Sequence, residues 1–325
     1  MVLSTAYFDD FTTLSKGRRA DVADRAVCLI FGVLGWDLSK DEAKDLPLGE
    51  TFRALGVEFS LSRQDEGIVL VANAPERKEE LTSVIDGILA SGQLEAKAAE
   101  SLRSRLLFAD GQIFGRCAKA AVITVGDSPK TATSSCELPE ETRKSLVWLK
   151  ERVLHGRPRI CSLTPRPKVL FYMDGACEPA SGQGPPKCSF GGIIMVGEEK
   201  FSFGEVLPDR LASQWLARAG KEQMVFECEL LPYLVGLSLL PQVFEGRDAL
   251  VFIDNEAARK TFVKAFTRSD EGALILDSVL PLEEDLDVRS YFCRVPTSSN
   301  PADGPSRGDF SLADDLGCKR VRVSD

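Results

Sequence analysis

Histidine is almost missing from this chain: His155 is the single one among 325 residues. That scarcity argues against a histidine-built zinc site and against a Ser-His-Asp triad, so any hydrolysis has to run on carboxylates and metal. No apolar run reaches the ~18 residues from which a membrane-crossing helix is read. The opening MVLSTAYFDDF lacks a basic stretch and carries acids early, so it does not read as a signal peptide. The nine cysteines never form a CxxC pair and are odd in number. They read as reduced, mostly packing thiols of an intracellular protein, nuclear or cytoplasmic. Internal repeats and low-complexity tracts are lacking too.

What is present is enough apolar material, 44% of residues, for buried cores, and a length that suits about two domains. The net charge of -9 argues mildly against nucleic acid, but it is unevenly spread. Between 143 and 168 stand Arg143, Lys144, Lys150, Arg152, Arg157, Arg159, Arg166 and Lys168 against the lone acid Glu151. Such a strap either grips phosphates or is a solvated linker.

Periodicity predicts a helix at 21–35, a hairpin of 52–61 with 67–73, and helices at 75–90 and 94–108, the latter running on through 109–125. A polar loop follows at 126–138, then a helix at 139–154 and the linker GRPRICSLTPRP at 156–167. Beyond it come strands at 169–173, 190–196 and 200–206, an apolar helix at 226–240 and a strand at 249–253. Helices at 256–266 and 271–286, a strand at 288–295 and a C-terminal helix at 301–316 complete the order. Three strands followed by alternating strands and helices imply an α/β fold with a mixed sheet and helices on both faces.

Acidic motifs punctuate that second half: YMDGAC (172–177), ECELL (227–231), FIDNE (252–256) and NPADGPSR (300–307). Asp174 reads as a strand-end carboxylate, where open sheets bind ligands, or as a simple Asp-Gly turn. Asp254 repeats that arrangement, with a helix cap as its ordinary alternative. Glu229 lies within a very apolar helix, where a charge needs a partner; Glu227 reads as the solvent-exposed glutamate of the pair. Asp303, near the start of the last helix, could equally be a capping acid. Converging carboxylates repel unless cations neutralise them, and this set suits two divalent ions clamping a phosphodiester during in-line displacement.

In order and spacing these motifs resemble the ribonuclease H family, particularly the ribonuclease H domain of retroelement reverse transcriptases. VPTSSNPADGPSR (295–307) is similar to the end of that domain in tyrosine-recombinase-type and related elements. The resemblance spans about 169–316 and implies a five-stranded mixed sheet, with Asp174, Glu229, Asp254 and Asp303 as catalytic and metal-binding residues. It implies two Mg²⁺ ions, with Mn²⁺ an alternative, and endonucleolytic hydrolysis of the RNA strand of RNA–DNA hybrids leaving 5′ phosphate and 3′ hydroxyl ends. Asn255, Ser306 and Arg307 would support the site. Arg157, Arg159, Arg166, Lys168 and Arg307 are the candidate nucleic-acid contacts.

Upstream, YFDDF (7–11) is similar to the YxDD box of reverse transcriptases, and GWDLSKDEAK (35–44) and FRALGVEF (52–59) resemble the next palm motifs in order. The resemblance makes Asp9, Asp10 and Lys44 (or Lys40) remnants of a polymerase site. It divides the chain into a partial palm (1–74), a thumb-like helical region (75–138), a basic connection (139–168) and a ribonuclease H-like domain (169–325). In the thumb-like region Arg103, Arg105 and Arg116 would be backbone contacts. No partner aspartate or fingers precede the box, so DNA synthesis by this chain alone is not expected, and a separate polymerase half or a homo-oligomer is the implied partner. The other reading is a non-catalytic retroelement remnant that binds nucleic acid. Trp215, in LASQWLARAGKEQ (211–223), reads either as a base-stacking platform or as a core residue.

Overall fold

The computed structural model of the chain describes residues 2–7, 10–15, 17–39, 48–131, 138–178, 186–219 and 223–323. Two compact units emerge, one from residues 1–114 with 128–164 and the other from 115–127 with 165–325. The expected thumb-like stretch 75–138 is therefore shared between the units.

In the first unit β1 (Val2–Tyr7) and β2 (Asp10–Ser15) pair antiparallel, from Val2↔Ser15 to Tyr7↔Asp10. Helix α1 (Ala20–Val33) follows. Strands β3 (Thr51–Ala54), β4 (Val57–Ser60) and β5 (Ile68–Asn73) lead into α2 (Pro75–Ser91) and α3 (Ala96–Asp110). The predicted strand 52–61 is split in two by a turn at Leu55 and Gly56, both at positive φ, as a two-residue hairpin of the right twist requires. Leu-Gly lacks the usual Asn-Gly signal, which is why sequence missed it. Helix α2 starts at Pro75 and stops at Gly92, whose φ of 66° closes a left-handed cap.

Helix α3 does not run on through 109–125. Gly115, at φ 91°, cannot continue a helix, and α4 (Lys119–Thr131) starts afresh within the expected helical stretch and runs past 125 into what sequence reads as loop. Helix α5 (Glu140–His155) and β6 (Arg159–Ser162) follow, β6 completing the sheet β3-β4-β5-β6.

The second unit carries the predicted α/β fold, a mixed sheet with helices on both faces. Strands β7 (Lys168–Glu178), β8 (Lys187–Val196) and β9 (Glu199–Val206) form an antiparallel meander. Then come α6 (Asp209–Ala219), α7 (Val225–Leu239), α8 (Pro241–Phe244), β10 (Asp248–Ile253), α9 (Glu256–Lys264), α10 (Asp270–Asp285) and β11 (Arg289–Arg294). The chain closes with α11 (Asp303–Ser306), α12 (Ser311–Asp315) and β12 (Lys319–Arg320). Strands β10 and β11 join parallel, giving the order β11-β10-β7-β8-β9, to which the two-residue β12 adds a sixth member at the edge. The single C-terminal helix expected at 301–316 is two short ones, interrupted at Gly308 with φ 82°.

Alternation along β7 explains why helices cover both faces. Val169, Phe171 and Met173 pack into the main core with Tyr233 and Leu237 of α7. Tyr172 turns the other way, toward Ile193, Phe310 and Ala313. Helix α7 is buried nearly all round, so its sequence shows no polar stripe. Trp215 packs against the main core, which favours its packing reading.

Phe171 is fully buried among Phe203, Tyr233 and Phe244, with ring centroids 5.8–6.0 Å away. Phe171→Ala is expected to lower the unit's stability by about 3–5 kcal/mol in equilibrium denaturation, and a loss below ~1 kcal/mol would show that this aromatic cluster is not central to the core.

Candidate metal centre in an acidic cleft

The cleft arises where the sheet changes direction. Strand β7 is antiparallel to β8 but parallel to β10, and the β10 ladder ends at Phe252↔Tyr172. Past Tyr172 one edge of β7 is released from β10, although β7 itself continues to Glu178. Asp174 is therefore within a strand rather than at its end. Such switch points, beyond the carboxyl ends of parallel strands, are where open α/β sheets take ligands. Asp254 immediately follows β10, and Asn255 accepts from the amides of Ala257 and Ala258 at 3.0 and 3.1 Å to start α9. The capping role thus belongs to Asn255, leaving Asp254 turned into the cleft.

Glu229 comes from α7, and Gly175 lets it approach. A Cβ on Gly175 would collide with the backbone of Cys228 and Glu229, so only glycine allows this helix so close to β7. A pair of glycines does the same on neighbouring strands. Asp174, Gly191 and Gly204 lie opposite one another across β7, β8 and β9. Side chains at either glycine would strike Pro305 or Ser306 backbone, so the glycines seat α11 directly on the sheet. Seated there, the single Ser306 hydroxyl proton is within donating reach of Asp174 Oδ2 and of Asp303 O, the latter at 2.9 Å.

Asp174, Glu229 and Asp254 each offer a carboxylate oxygen, and these oxygens lie within 4.8 Å of one another. Asp174 and Glu229 are 4% and 5% exposed. The cleft they line, about 390 Å³, also includes Gly175, Val225, Thr297, Asp303 and Arg307. Asp303 is not drawn into the group of three. It is partly exposed and paired with Arg307, Nε to Oδ1 3.2 Å. Burial pushes the Asp174 carboxyl up to about 6, aided by repulsion from Asp254 and Asp303 and opposed by the Ser306 hydrogen bond. Glu229 is pushed up to about 9 by burial first, then by Asp174 and Asp254.

A divalent cation fits this donor set. Glu229 Oε2 and Asp254 Oδ1 are buried oxygens with no hydrogen-bond partner, and buried polar atoms left so are costly. All the donors are hard oxygens, which suits Mg²⁺ or Mn²⁺ rather than zinc. Asn255 Nδ2 reaches Glu229 Oε1 at only 3.5 Å, so it steers that carboxylate without neutralising it.

Other expectations are placed differently. Glu227 is 1% exposed, not solvated, and accepts from Ser269 Oγ at 2.6 Å. Arg166 is tied to Gly246 O at 3.1 Å, Asp287 O at 2.5 Å and the Asp248 carboxylate at 3.7 Å. Lys168 begins β7, about 20 Å from Asp174 at ~3.3 Å per residue. In the first unit Arg157 lies over the Phe114 ring at 4.3 Å and Arg159 donates to Gly111 O at 3.0 Å. Lys150 and Arg152 are likewise engaged, with Asp86 and Asp110. These strap residues make contacts within the fold, and of the five candidate contacts Arg307 lines the cleft. Arg105 pairs with Glu80, and Arg116 with Glu283 at 2.6 Å. Asp9 and Lys44 lie outside the described residues, as does Lys40; Asp10 is placed by its backbone in β2. Sequence reading missed Asn300, which donates to Met173 O at 3.0 Å beside Asp174, and Thr297 in the cleft wall. Both belong to the quoted 295–307 motif, which was the available signal.

No protein-family model matches this chain, and no curated protein matches it either. Among solved structures it is similar to ribonuclease H1 of the halophilic archaeon Halobacterium salinarum, at 18% identity and TM-score 0.33, over 45% of this chain and 98% of that one. It is also similar to LC11 ribonuclease H1 in complex with an RNA/DNA hybrid, at 14% identity and TM-score 0.31, over 45% and 98%. A third likeness is to a foamy viral protease-reverse transcriptase in complex with an RNA/DNA hybrid, at 9% identity and TM-score 0.36, over 96% of this chain and 58% of that one. No helix among the described residues is long and apolar enough to cross a membrane.

The raised carboxyls have a definite consequence for stability. Folded values of about 6 and about 9 exceed the unfolded ones of about 3.9 and 4.3. As pH rises through that window the unfolded chain loses these protons first, so with divalent cations chelated the folded state loses stability from about pH 4 upward. The Asp174 contribution is complete near pH 6 and that of Glu229 near pH 9. In EDTA the melting temperature is expected to fall between about pH 5 and pH 8, less steeply in Asp174→Asn and least in Glu229→Gln. The same slope in all three proteins would contradict this electrostatic description.

Proposed function

We propose that this chain is a divalent-cation-dependent endonuclease of the ribonuclease H type, hydrolysing the RNA strand of RNA–DNA hybrids. The observation that carries the reading is the group of three carboxylates at the sheet's switch point, Asp174 and Glu229 buried and Asp254 half-buried, in which Glu229 and Asp254 each have an oxygen lacking any hydrogen-bond partner. Asp174, Glu229 and Asp254 are assigned as the residues that hold two Mg²⁺ or Mn²⁺ ions. Bound cations would supply charge neutralisation at phosphorus and a more acidic attacking water.

The chain's own groups do the positioning. Ser306 fixes one oxygen of Asp174 and leaves the other directed at the cleft. Gly175 sets the depth of Glu229, and Asn255 its direction. Asp303 at the rim, with its pKa-raising effect on Asp174, is assigned to the outer edge of the same site. Arg307 pairs with Asp303 and is half exposed, so its guanidinium can exchange that carboxylate for a substrate phosphate. An RNA strand would be told from DNA by its 2′-hydroxyls in a shallow minor groove. The same reading takes residues 1–74 as a reverse transcriptase palm remnant, 75–138 as thumb-like, 139–168 as a connection and 169–325 as the nuclease domain.

The test is incubation of the purified chain and Asp254→Asn with Mg²⁺ and labelled RNA–DNA hybrid, single-stranded RNA and duplex DNA. Cleavage confined to the RNA of the hybrid is expected, reduced in the variant by on the order of 10²-fold or more. Equal cleavage by both proteins would overturn the site assignment. Metal-dependent stabilisation with no cleavage by the folded chain would favour a non-catalytic, nucleic-acid-binding remnant.

A further inference from the structure

Sulfur gathers beside the carboxylates. Cys177 of β7 and Cys188 of β8 are direct partners across the antiparallel ladder, and their sulfurs are 3.6 Å apart. Opposed residues in such a ladder hold their Cα atoms about 4.5–5.5 Å apart, inside the ~4.4–6.8 Å that a disulfide spans. Rotating the side chains is therefore enough to join them, with no backbone displacement. Cys177 is partly buried and lines the cleft, whereas Cys188 is buried beneath it. Both are free thiols.

We propose that Cys177 and Cys188 form a peroxide-sensitive dithiol, an oxidative modification site at the rim of the carboxylate cleft that closes to a disulfide. Hydrogen peroxide reaches the Cys177 sulfur from the cleft. That sulfur attacks one peroxide oxygen, the O–O bond breaks, and the second oxygen leaves as water with the thiol proton, giving a sulfenic acid. The Cys188 sulfur then attacks the Cys177 sulfur. The S–S bond forms, the S–O bond breaks, and the hydroxyl leaves as a second water with the Cys188 proton. In balance, two thiols lose two electrons and two protons, and one peroxide becomes two waters.

Exposure sets this order of events, because Cys177 is open to the cleft and Cys188 is buried. Burial pushes the Cys177 thiol up, whereas the neighbouring Cys228 of α7 lowers Cys188 to about 6, so Cys188 is the thiolate-prone sulfur that resolves the sulfenic acid. Cys228 also directly precedes Glu229 in the chain. The link would bind β7 to β8 at the end of the strand that carries Asp174, under the start of the helix that carries Glu229. This inference stands on sulfur geometry and does not require that hybrid cleavage be the activity.

The experiment treats the reduced, purified chain with graded hydrogen peroxide and blocks remaining thiols with N-ethylmaleimide in denaturant. Digestion without reductant and peptide mass mapping follow. The expected product is a peptide pair joined through Cys177 and Cys188, two hydrogens lighter than the separate peptides and released by dithiothreitol. It should persist in Cys228→Ser and vanish in Cys177→Ser. If Cys177 and Cys188 both still carry maleimide at doses that oxidise the exposed Cys28, or if Cys188 is joined to Cys228 instead, the proposal is overturned.

Discussion

Repulsion among three carboxylates held within 4.8 Å is the interaction on which the second unit depends. Left alone, such a group would spread apart or take up protons, and burial first, with mutual repulsion added to it, pushes the Asp174 and Glu229 carboxyls toward the second response. The surrounding structure prevents the first response. Asp174 is fixed by ladder bonds to β8 and by Ser306, Glu229 by a helix buried nearly all round, and Asp254 by the cap of α9. A group of like charges held together at a cost in stability suits a ligand of opposite charge. Two orphaned carboxylate oxygens mark where that ligand would bind.

Glycine makes this concentration sterically feasible. Gly175 admits α7 to the strand, and Gly191 and Gly204 admit α11 to the sheet, each by lacking a Cβ. Glycine within strands ordinarily weakens them, and its presence there marks close approach of another backbone. The site is therefore set by packing between backbones before any side-chain hydrogen bond is made. Ser306 and Asn255 refine what the glycines permit.

Much of this was legible in the chain. Strand, helix, strand and helix start, each with its acid, placed Asp174, Glu229, Asp254 and Asp303 around one cleft, because short apolar runs with β-branched and aromatic residues are strong signals. Less visible was the distinction among them: Asp303 has Arg307 one helical turn later and is drawn toward it rather than into the group. Glu227 was misread because α7 has no solvent face to betray a buried acid, and its partner Ser269 is 42 residues away. The partners of the basic strap were hidden for a related reason. Local charge counts do not reveal that Arg152, Arg159 and Arg166 are bound to backbone carbonyls and acids within the fold. The Leu55–Gly56 turn and the break at Gly115 depend on positive φ, which residue type alone does not announce.

The central claim is that Glu229 carries a proton in the metal-free fold and must release it for a cation to bind. Calorimetric titration of Mn²⁺ at about pH 7, in two buffers of different ionisation enthalpy, measures that release directly. The account predicts proton release on binding to the wild-type chain and its disappearance in Glu229→Gln. Binding without proton release, or release unchanged in the variant, would contradict it.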